Sequence, residues 1–227
     1  MPGRDSSLEA FVYEQLDTHR ESVFHWAEVF NLDPLLVASI LIVERQQYHL
    51  PDARRAVHRA GHACLDLVQM VGKLLPSDTT RRAWEGLILW VNCSRGFCRI
   101  NFDTAAEAWA RHRSRVNPPI LSEMDICRHD QYPDLSVAVS CMILDELARQ
   151  WEPFVPTVRY LPRIMATLYN VSNFENKRPH PFPAVGGSVM DVIVDGRHVE
   201  GEVFGNRVFL VVQSDNMKQW GAKKWRS

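Results

Sequence analysis

The fold of this chain is decided by the stretch LLVASILIVE, residues 35–44. Asp33-Pro34 comes directly before it, and Asp can cap the free amides of a helix while Pro suits the first helical turn. Leu35 to Val43 is apolar on all faces, which predicts a buried helix. Glu44 is the first charged side chain after ten uncharged positions, so a carboxylate is carried into apolar surroundings.

Glu44 shares one face of this predicted helix with apolar side chains: Val37, Ile40, Leu41 and Tyr48. Burial disfavours the ionised carboxylate, and the negative end of the helix dipole acts in the same direction. Both effects predict a raised pKa for Glu44, which a general acid for cleavage of a glycosidic bond requires. The alternative is that Glu44 pairs with Arg45 or with another basic residue at the helix end.

Helical patterns on both sides of this stretch predict a mainly α domain over residues 1–172. A first amphipathic helix carries Leu8, Phe11, Val12 and Leu16, and Thr18 with Glu21 is typical of a capping box that begins a second helix. Further helices are expected within 52–90, from Asp103, from Asp134, and over residues 160–171.

The pattern changes after Asn173. Residues 173–188 have the composition of a linker. Three β-branched runs follow at 189–194, 199–204 and 208–212, separated by the turn dipeptides Asp195-Gly196 and Gly205-Asn206. We therefore predict that residues 189–227 form a small antiparallel β meander of three strands, packed on the helical body, followed by a basic tail. In the tail, 218–226, Lys and Arg alternate with Trp. We expect this tail to be a solvated terminus. The alternative is that it binds an anionic wall polymer or membrane surface.

Composition excludes several classes of protein. The net charge of −1 argues against nucleic acid as a partner. The five cysteines, an odd number without a framework, indicate reduced thiols. The longest uncharged apolar stretch, 34–43, is too short to span a bilayer, and the polar N-terminus lacks the apolar region of a secretion signal. We expect synthesis in the cytoplasm and action after lysis or signal-peptide-independent export, with a secretion-machinery or immunity protein as a possible partner.

A metal site is a first alternative. His58 and His62 are four residues apart on a predicted helix, and Cys64 offers a third ligand. A zinc-hydrolase motif also needs Glu beside the first His, where this chain has Arg59. We therefore expect no metal and no cofactor.

Three segments resemble the lytic transglycosylases and goose-type lysozymes. Residues 35–44 resemble the catalytic helix of that family, in which an apolar helix ends in the acid Glu. The segment SRGFCRI, 94–100, with Thr104-Ala105 after it, is similar to the family's Gly-Leu-Met-Gln-Ile loop and following Thr-Ala. Residues 166–170, ATLYN, resemble its Ala-Tyr-Asn segment, and the three come in the family's order. The chain departs from the pattern in having Arg45 for Ser, Cys98 for Met and Arg99 for Gln.

The resemblance implies a lysozyme-like domain that cleaves the β-1,4 bond between N-acetylmuramic acid and N-acetylglucosamine in peptidoglycan. Glu44 would be the general acid and then the base, helped by the N-acetyl group of the substrate, and the product would be an anhydro or a reducing end. Asp52 or Asp66 could instead serve as the base of an inverting mechanism. The residues that the resemblance assigns to sugar binding are Ser94, Gly96, Phe97, Arg99, Tyr169 and Asn170.

The alternative function is a catalytically inactive lysozyme-like scaffold that binds glycan or a protein partner. Arg45 and Arg99, in place of the family's residues, favour this alternative.

Overall fold

A computed structural model of the protein describes residues 4–49, 100, 102–114, 133–171 and 189–222. Over these residues the chain is mainly helical, with a small antiparallel sheet near the C-terminal end, which confirms the predicted fold class. The two helices expected within 52–90, the loop 94–99 and the linker 173–188 lie outside the described residues. The division of the chain into two domains stays a prediction.

The helices are named in chain order. They are α1 (Arg4–Thr18), α2 (Arg20–Val29), α3 (Pro34–His49), α4 (Phe102–His112), α5 (Pro133–Trp151), α6 (Pro162–Val171), α7 (Phe204–Gln213) and α8 (Asp215–Ala222). A short 3-10 turn, Val158–Tyr160, precedes α6, and the strands are β1 (Val189–Val194) and β2 (Arg197–Val203).

Helix α3 lies at the centre of the molecule. Its N-terminus is capped as predicted, because an Asp33 carboxylate oxygen accepts the Leu35 N–H at 2.8 Å. Every residue from Leu36 to Glu44 is buried, and α1, α2, α7 and β1 all contact this helix. The prediction of a helix buried on all faces is confirmed.

The start of α2 differs from the prediction. The Thr18 hydroxyl donates to the Gln15 carbonyl at 2.7 Å, within the last turn of α1, so it does not cap the next helix. The N-cap residue of α2 is His19, which makes no side-chain capping bond. The predicted capping box is therefore wrong, since a Thr hydroxyl can satisfy a preceding carbonyl as readily as a following amide.

The sheet is a two-stranded antiparallel hairpin. Its turn is the predicted Asp195-Gly196, with φ values of 49° and 73°, as a tight hairpin turn requires. The Glu9 carboxylate accepts both turn amides, Asp195 N–H at 2.8 Å and Gly196 N–H at 2.6 Å. The hairpin is thus fastened to α1.

A second attachment joins β1 to α3. The side-chain amide of Gln46 donates to the Ile193 carbonyl at 2.8 Å and accepts the Ile193 N–H at 2.7 Å. Gln46 therefore satisfies the outer backbone groups of β1 as a neighbouring strand would.

The third predicted strand is wrong. Residues 208–212 belong to helix α7, which follows β2 directly. Side chains at helical spacing are buried along it, namely Phe204, Arg207, Val208 and Val211.

The predicted turn at Gly205-Asn206 is also wrong, because both residues belong to α7. Gly205 allows α7 to approach α6, because a Cβ there would lie 2.6 Å from the Arg163 carbonyl oxygen.

The described part of the basic tail is a packed helix, so the expected solvated terminus is wrong as far as residue 222. The Asp195 carboxylate caps α8 by accepting the amides of Asp215 and Asn216, both at 3.0 Å. Trp220 of α8 is buried, with its ring 5.5 Å from that of Phe24 and with the Arg20 guanidinium 4.5 Å above it. Met217 and Trp220 join the same hydrophobic core as helices α1 to α6.

No helix in the part of the chain that the structure describes is both long enough and apolar enough to cross a bilayer.

Candidate functional site

Glu44 lies in the C-terminal half of α3 and is 7% exposed. The helix continues to His49, more than one turn beyond Glu44. The influence of a helix dipole falls off within the last turn, so its contribution at Glu44 is smaller than the sequence suggested.

A buried cation contacts Gln47, which lies three residues after Glu44 on α3. When the amide oxygen of Gln47 is turned toward Arg207, it accepts a hydrogen bond from each of the two terminal guanidinium nitrogens, at 2.7 and 2.9 Å. Arg207 is fully buried on α7, and a guanidinium stays charged in proteins. Residues three apart on a helix are surface neighbours, so this positive charge is held next to the turn that carries the acid.

Tyr169 is held from two sides. Its hydroxyl lies 3.2 Å from the hydroxyl of Ser140 on α5, and its ring stacks on Phe204 of α7 with the centroids 6.4 Å apart. The Arg207 guanidinium lies 5.3 Å from the centroid of the same Phe204 ring. Contacts thus run without a break from Ser140 through Tyr169, Phe204 and Arg207 to Gln47.

Three of the predicted site residues, Glu44, Tyr169 and Asn170, lie in the described part of the chain. Glu44 on α3 and Tyr169 on α6 belong to helices that contact each other, and α7 packs against both. Asn170 is half-buried beside Tyr169. The other predicted residues lie outside the described part of the chain: Ser94, Gly96, Phe97 and Arg99, together with the alternative bases Asp52 and Asp66.

Two of the cavities on the described surface are lined by residues other than Glu44. One, of about 520 Å³, lies between α1, the hairpin turn and α8. Its carboxylates Glu9 and Asp195 are already bonded to backbone amides. The other, of about 380 Å³, lies between α1 and Arg45.

A second group of buried ionisable side chains ties helices together away from Glu44. Asp145 of α5 is buried and accepts from Arg149 at 2.9 Å and Arg159 at 2.8 Å, with His112 of α4 at 3.6 Å. Desolvation opposes the charge on Arg159, but hydrogen bonds to Glu152 and Asp145 outweigh it and raise its pKa. Because Arg159 also donates to the Phe30 carbonyl at 3.2 Å, this cluster is a structural junction of α2, α4 and α5.

No group of three or more His, Cys, Asp or Glu side chains within the described ranges is arranged to hold a metal ion. The candidate ligands His58, His62 and Cys64 lie outside those ranges.

Sequence reasoning missed four residues of this region, Ser140, Phe204, Arg207 and Gln47. One signal was available: Arg207 is the lone charged residue between Glu202 and Asp215. Charged side chains are rarely buried without a specific partner, so a lone Arg in an apolar run marks a tertiary contact.

No protein-family model matches the chain, and no curated protein or solved structure matches it either.

Proposed function

We propose that this protein is a peptidoglycan-cleaving glycosidase with Glu44 as its general acid and base. The observation that carries the proposal is the burial of Glu44 in the apolar helix α3, where the residue is 7% exposed. Burial of this kind disfavours the ionised form of a carboxyl group, which is the property that a general acid requires. The substrate class comes from the resemblance of residues 35–44, 94–105 and 166–170 to lytic transglycosylases and goose-type lysozymes.

In the proposed reaction, the Glu44 carboxyl group donates its proton to the oxygen that bridges N-acetylmuramic acid and N-acetylglucosamine. The resulting carboxylate then takes a proton from the attacking group, either the sugar's own 6-hydroxyl or water. Tyr169 can orient Glu44 or contact the N-acetyl group, since Ser140 and Phe204 restrict its position. Asn170 and the segment 94–99 complete the sugar-binding residues of the proposal.

The proposal is tested with purified peptidoglycan sacculi and mass analysis of the released fragments. The wild-type protein should release fragments with anhydro ends if it is a transglycosylase, or with reducing ends if it is a hydrolase. Glu44→Gln should lower the rate by about 100-fold or more, because the acid is lost while the shape is kept. Glu28→Gln, on the exposed face of α2, is the matched control and should cleave at the wild-type rate. Absence of release by the wild type, or equal rates for Glu44→Gln and the wild type, would contradict the proposal.

The second candidate is a lysozyme-like scaffold that binds glycan or a protein without cleaving it. Arg207 favours it, because a buried positive charge one turn from Glu44 stabilises the ionised carboxylate and opposes its use as an acid. Under this candidate the wild type and Glu44→Gln should sediment equally with sacculi, and neither should release fragments.

A further inference from the structure

The cavity of about 380 Å³ between α1 and α3 has the construction of a ligand site. One wall of the cavity is a stripe of α1. It consists of Phe11 and of the residues three, four and seven positions after it, Glu14, Gln15 and Thr18. Arg45 of α3 closes the opposite side, and His19 lies at one end. The volume is in the range of small-molecule sites.

Three chemically different groups converge on this cavity. Phe11 is 42% exposed, so part of an aromatic ring faces the solvent there. Arg45 is half-buried, and its guanidinium has five N–H donors in a fork that matches a carboxylate. Because it has five, it can serve a ligand in addition to contacts within the protein.

Gln15 supplies the third group. Gln15 lines the cavity, but its side-chain oxygen is turned away from the solvent, and no donor among the described residues reaches it. A buried acceptor without a donor is unfavourable, and turning the side-chain amide toward the cavity would let the oxygen accept from a hydroxyl or amide N–H of a ligand. An apolar surface for a ring, a cation for a carboxylate and an acceptor for a hydroxyl together fit an acidic sugar.

The cavity lies beside the proposed catalytic acid. Arg45 follows Glu44 directly, and successive residues of a helix project about 100° apart. A ligand bound to Arg45 is therefore next to the turn of α3 that carries Glu44, but on the side that faces α1. Glu14 lines the same cavity but is solvent-exposed, so water weakens its attraction to Arg45.

We propose that this cavity is a subsite for a carboxylate-bearing saccharide unit, with Arg45 binding the carboxylate, Gln15 accepting from a hydroxyl or amide, and Phe11 stacking on the sugar ring. The proposal rests on the proposed function for its substrate class. In peptidoglycan the carboxylate comes either from the lactyl ether of N-acetylmuramic acid or from the attached peptide.

The test is calorimetric titration with three soluble ligands. They are N,N′-diacetylchitobiose, which has no carboxylate, the disaccharide of N-acetylglucosamine and N-acetylmuramic acid, and the same disaccharide with its peptide. The wild type should bind the acidic disaccharide about tenfold more tightly than chitobiose, as a charge-assisted hydrogen bond provides. A gain that comes only with the peptide would assign the carboxylate to the peptide. Equal affinity for all three ligands, or no binding at millimolar concentration, would overturn the proposal.

Two variants test the roles of Arg45 and Phe11 separately. Arg45→Gln should weaken the acidic ligands about tenfold and leave chitobiose unchanged. Phe11→Ala should weaken all three ligands alike, because stacking does not depend on the carboxylate. Arg113→Gln is the matched control, since Arg113 is exposed at the end of α4 and should bind like the wild type. If Arg45→Gln keeps the wild-type preference for acidic ligands, Arg45 does not bind the carboxylate and the subsite is wrong.

These measurements also distinguish this subsite from the proposed function. Titration needs no catalysis, so Glu44→Gln should show the same preference for acidic ligands. If the protein binds acidic ligands more tightly but does not cleave sacculi, the subsite is supported and the glycosidase proposal is contradicted. If it cleaves sacculi but binds acidic and neutral ligands equally, the glycosidase proposal is supported and the subsite is contradicted.

Discussion

Arg207 is a buried cation bonded to the neutral side chain of Gln47, and this pair yields the first prediction. Gln47→Leu removes an acceptor from two buried N–H groups and should cost about 2–3 kcal/mol of unfolding free energy. Arg207→Met should cost about 1–3 kcal/mol by leaving the amide unsatisfied. The double variant should cost less than the sum by about 1 kcal/mol, which a double-mutant cycle in urea measures. Additive costs would show that the two side chains do not interact.

Tyr13 gives a prediction on pH. Burial raises the pKa of its hydroxyl well above the ordinary value of 10.0. The raised folded-state pKa means that stability is complete below about pH 10 and is lost as pH rises above it, because only the unfolded chain ionises readily. Between pH 10 and 11 the wild type should lose about 1 kcal/mol more than Tyr13→Phe in urea unfolding. Parallel losses in the two proteins would contradict the raised pKa.

The burial of Glu44 could be predicted from the sequence, because apolar residues surround it in the periodicity of its own helix. The contacts of Gln47 with Arg207 and of Tyr169 with Ser140 could not. Each joins helices that are distant in the chain, and no local pattern specifies which helix faces meet.

At the scale of elements, α7 shows how β-branched residues mislead. Val208, Val211 and Val212 favour a strand by propensity, but that preference depends on context. Counted from Phe204, buried positions recur after four and seven residues, which is helical spacing. The Asp195-Gly196 turn was predicted correctly because a tight hairpin turn needs two residues with positive φ, and the dipeptide itself shows where such residues stand.

The close approach of α6 and α7 yields a third prediction. Gly205→Ala should destabilise the protein by about 1–3 kcal/mol, because the new methyl group meets Thr167 and the Arg163 backbone carbonyl, which cannot move away freely. Gly221→Ala is the matched control on α8. Its methyl group would meet only the flexible end of Leu35, at 2.7 Å, so its cost in thermal unfolding should be smaller. Equal costs for the two variants would contradict this account.

At the scale of the whole molecule, α8 fastens the C-terminal segment to α2. Trp220→Ala removes a fully buried ring between Phe24 and Arg20 and should cost about 3–5 kcal/mol. In a chain of this size that lowers the melting temperature by at least about 6 °C. Gln219→Ala, at an exposed position beside it, should change the temperature little. A melting temperature for Trp220→Ala within 2 °C of the wild type would correspond to a loss of only about 0.5–1 kcal/mol of unfolding free energy. That result would mean that α8 does not stabilise the core.

The overall architecture could be predicted only in part. A mainly helical chain with a late hairpin follows from periodicity and turn chemistry. The packing of α8 into the helical core could not be predicted, because a basic segment with interleaved Trp fits a solvated tail as well as a docked helix. Burial of Trp220 depends on Phe24 and Arg20, and their distance in sequence hides that dependence.

The attachments of the hairpin and α8 to α1, α2 and α3 have a consequence for biosynthesis. Glu9, Arg20 and Gln46 find their partners at residues 193–220, so these contacts close very large loops. On the ribosome, the first three helices emerge long before those partners and must wait with apolar surface uncovered. We therefore expect the nascent chain to need chaperone protection until residue 220 has left the exit tunnel, and to complete its fold only then.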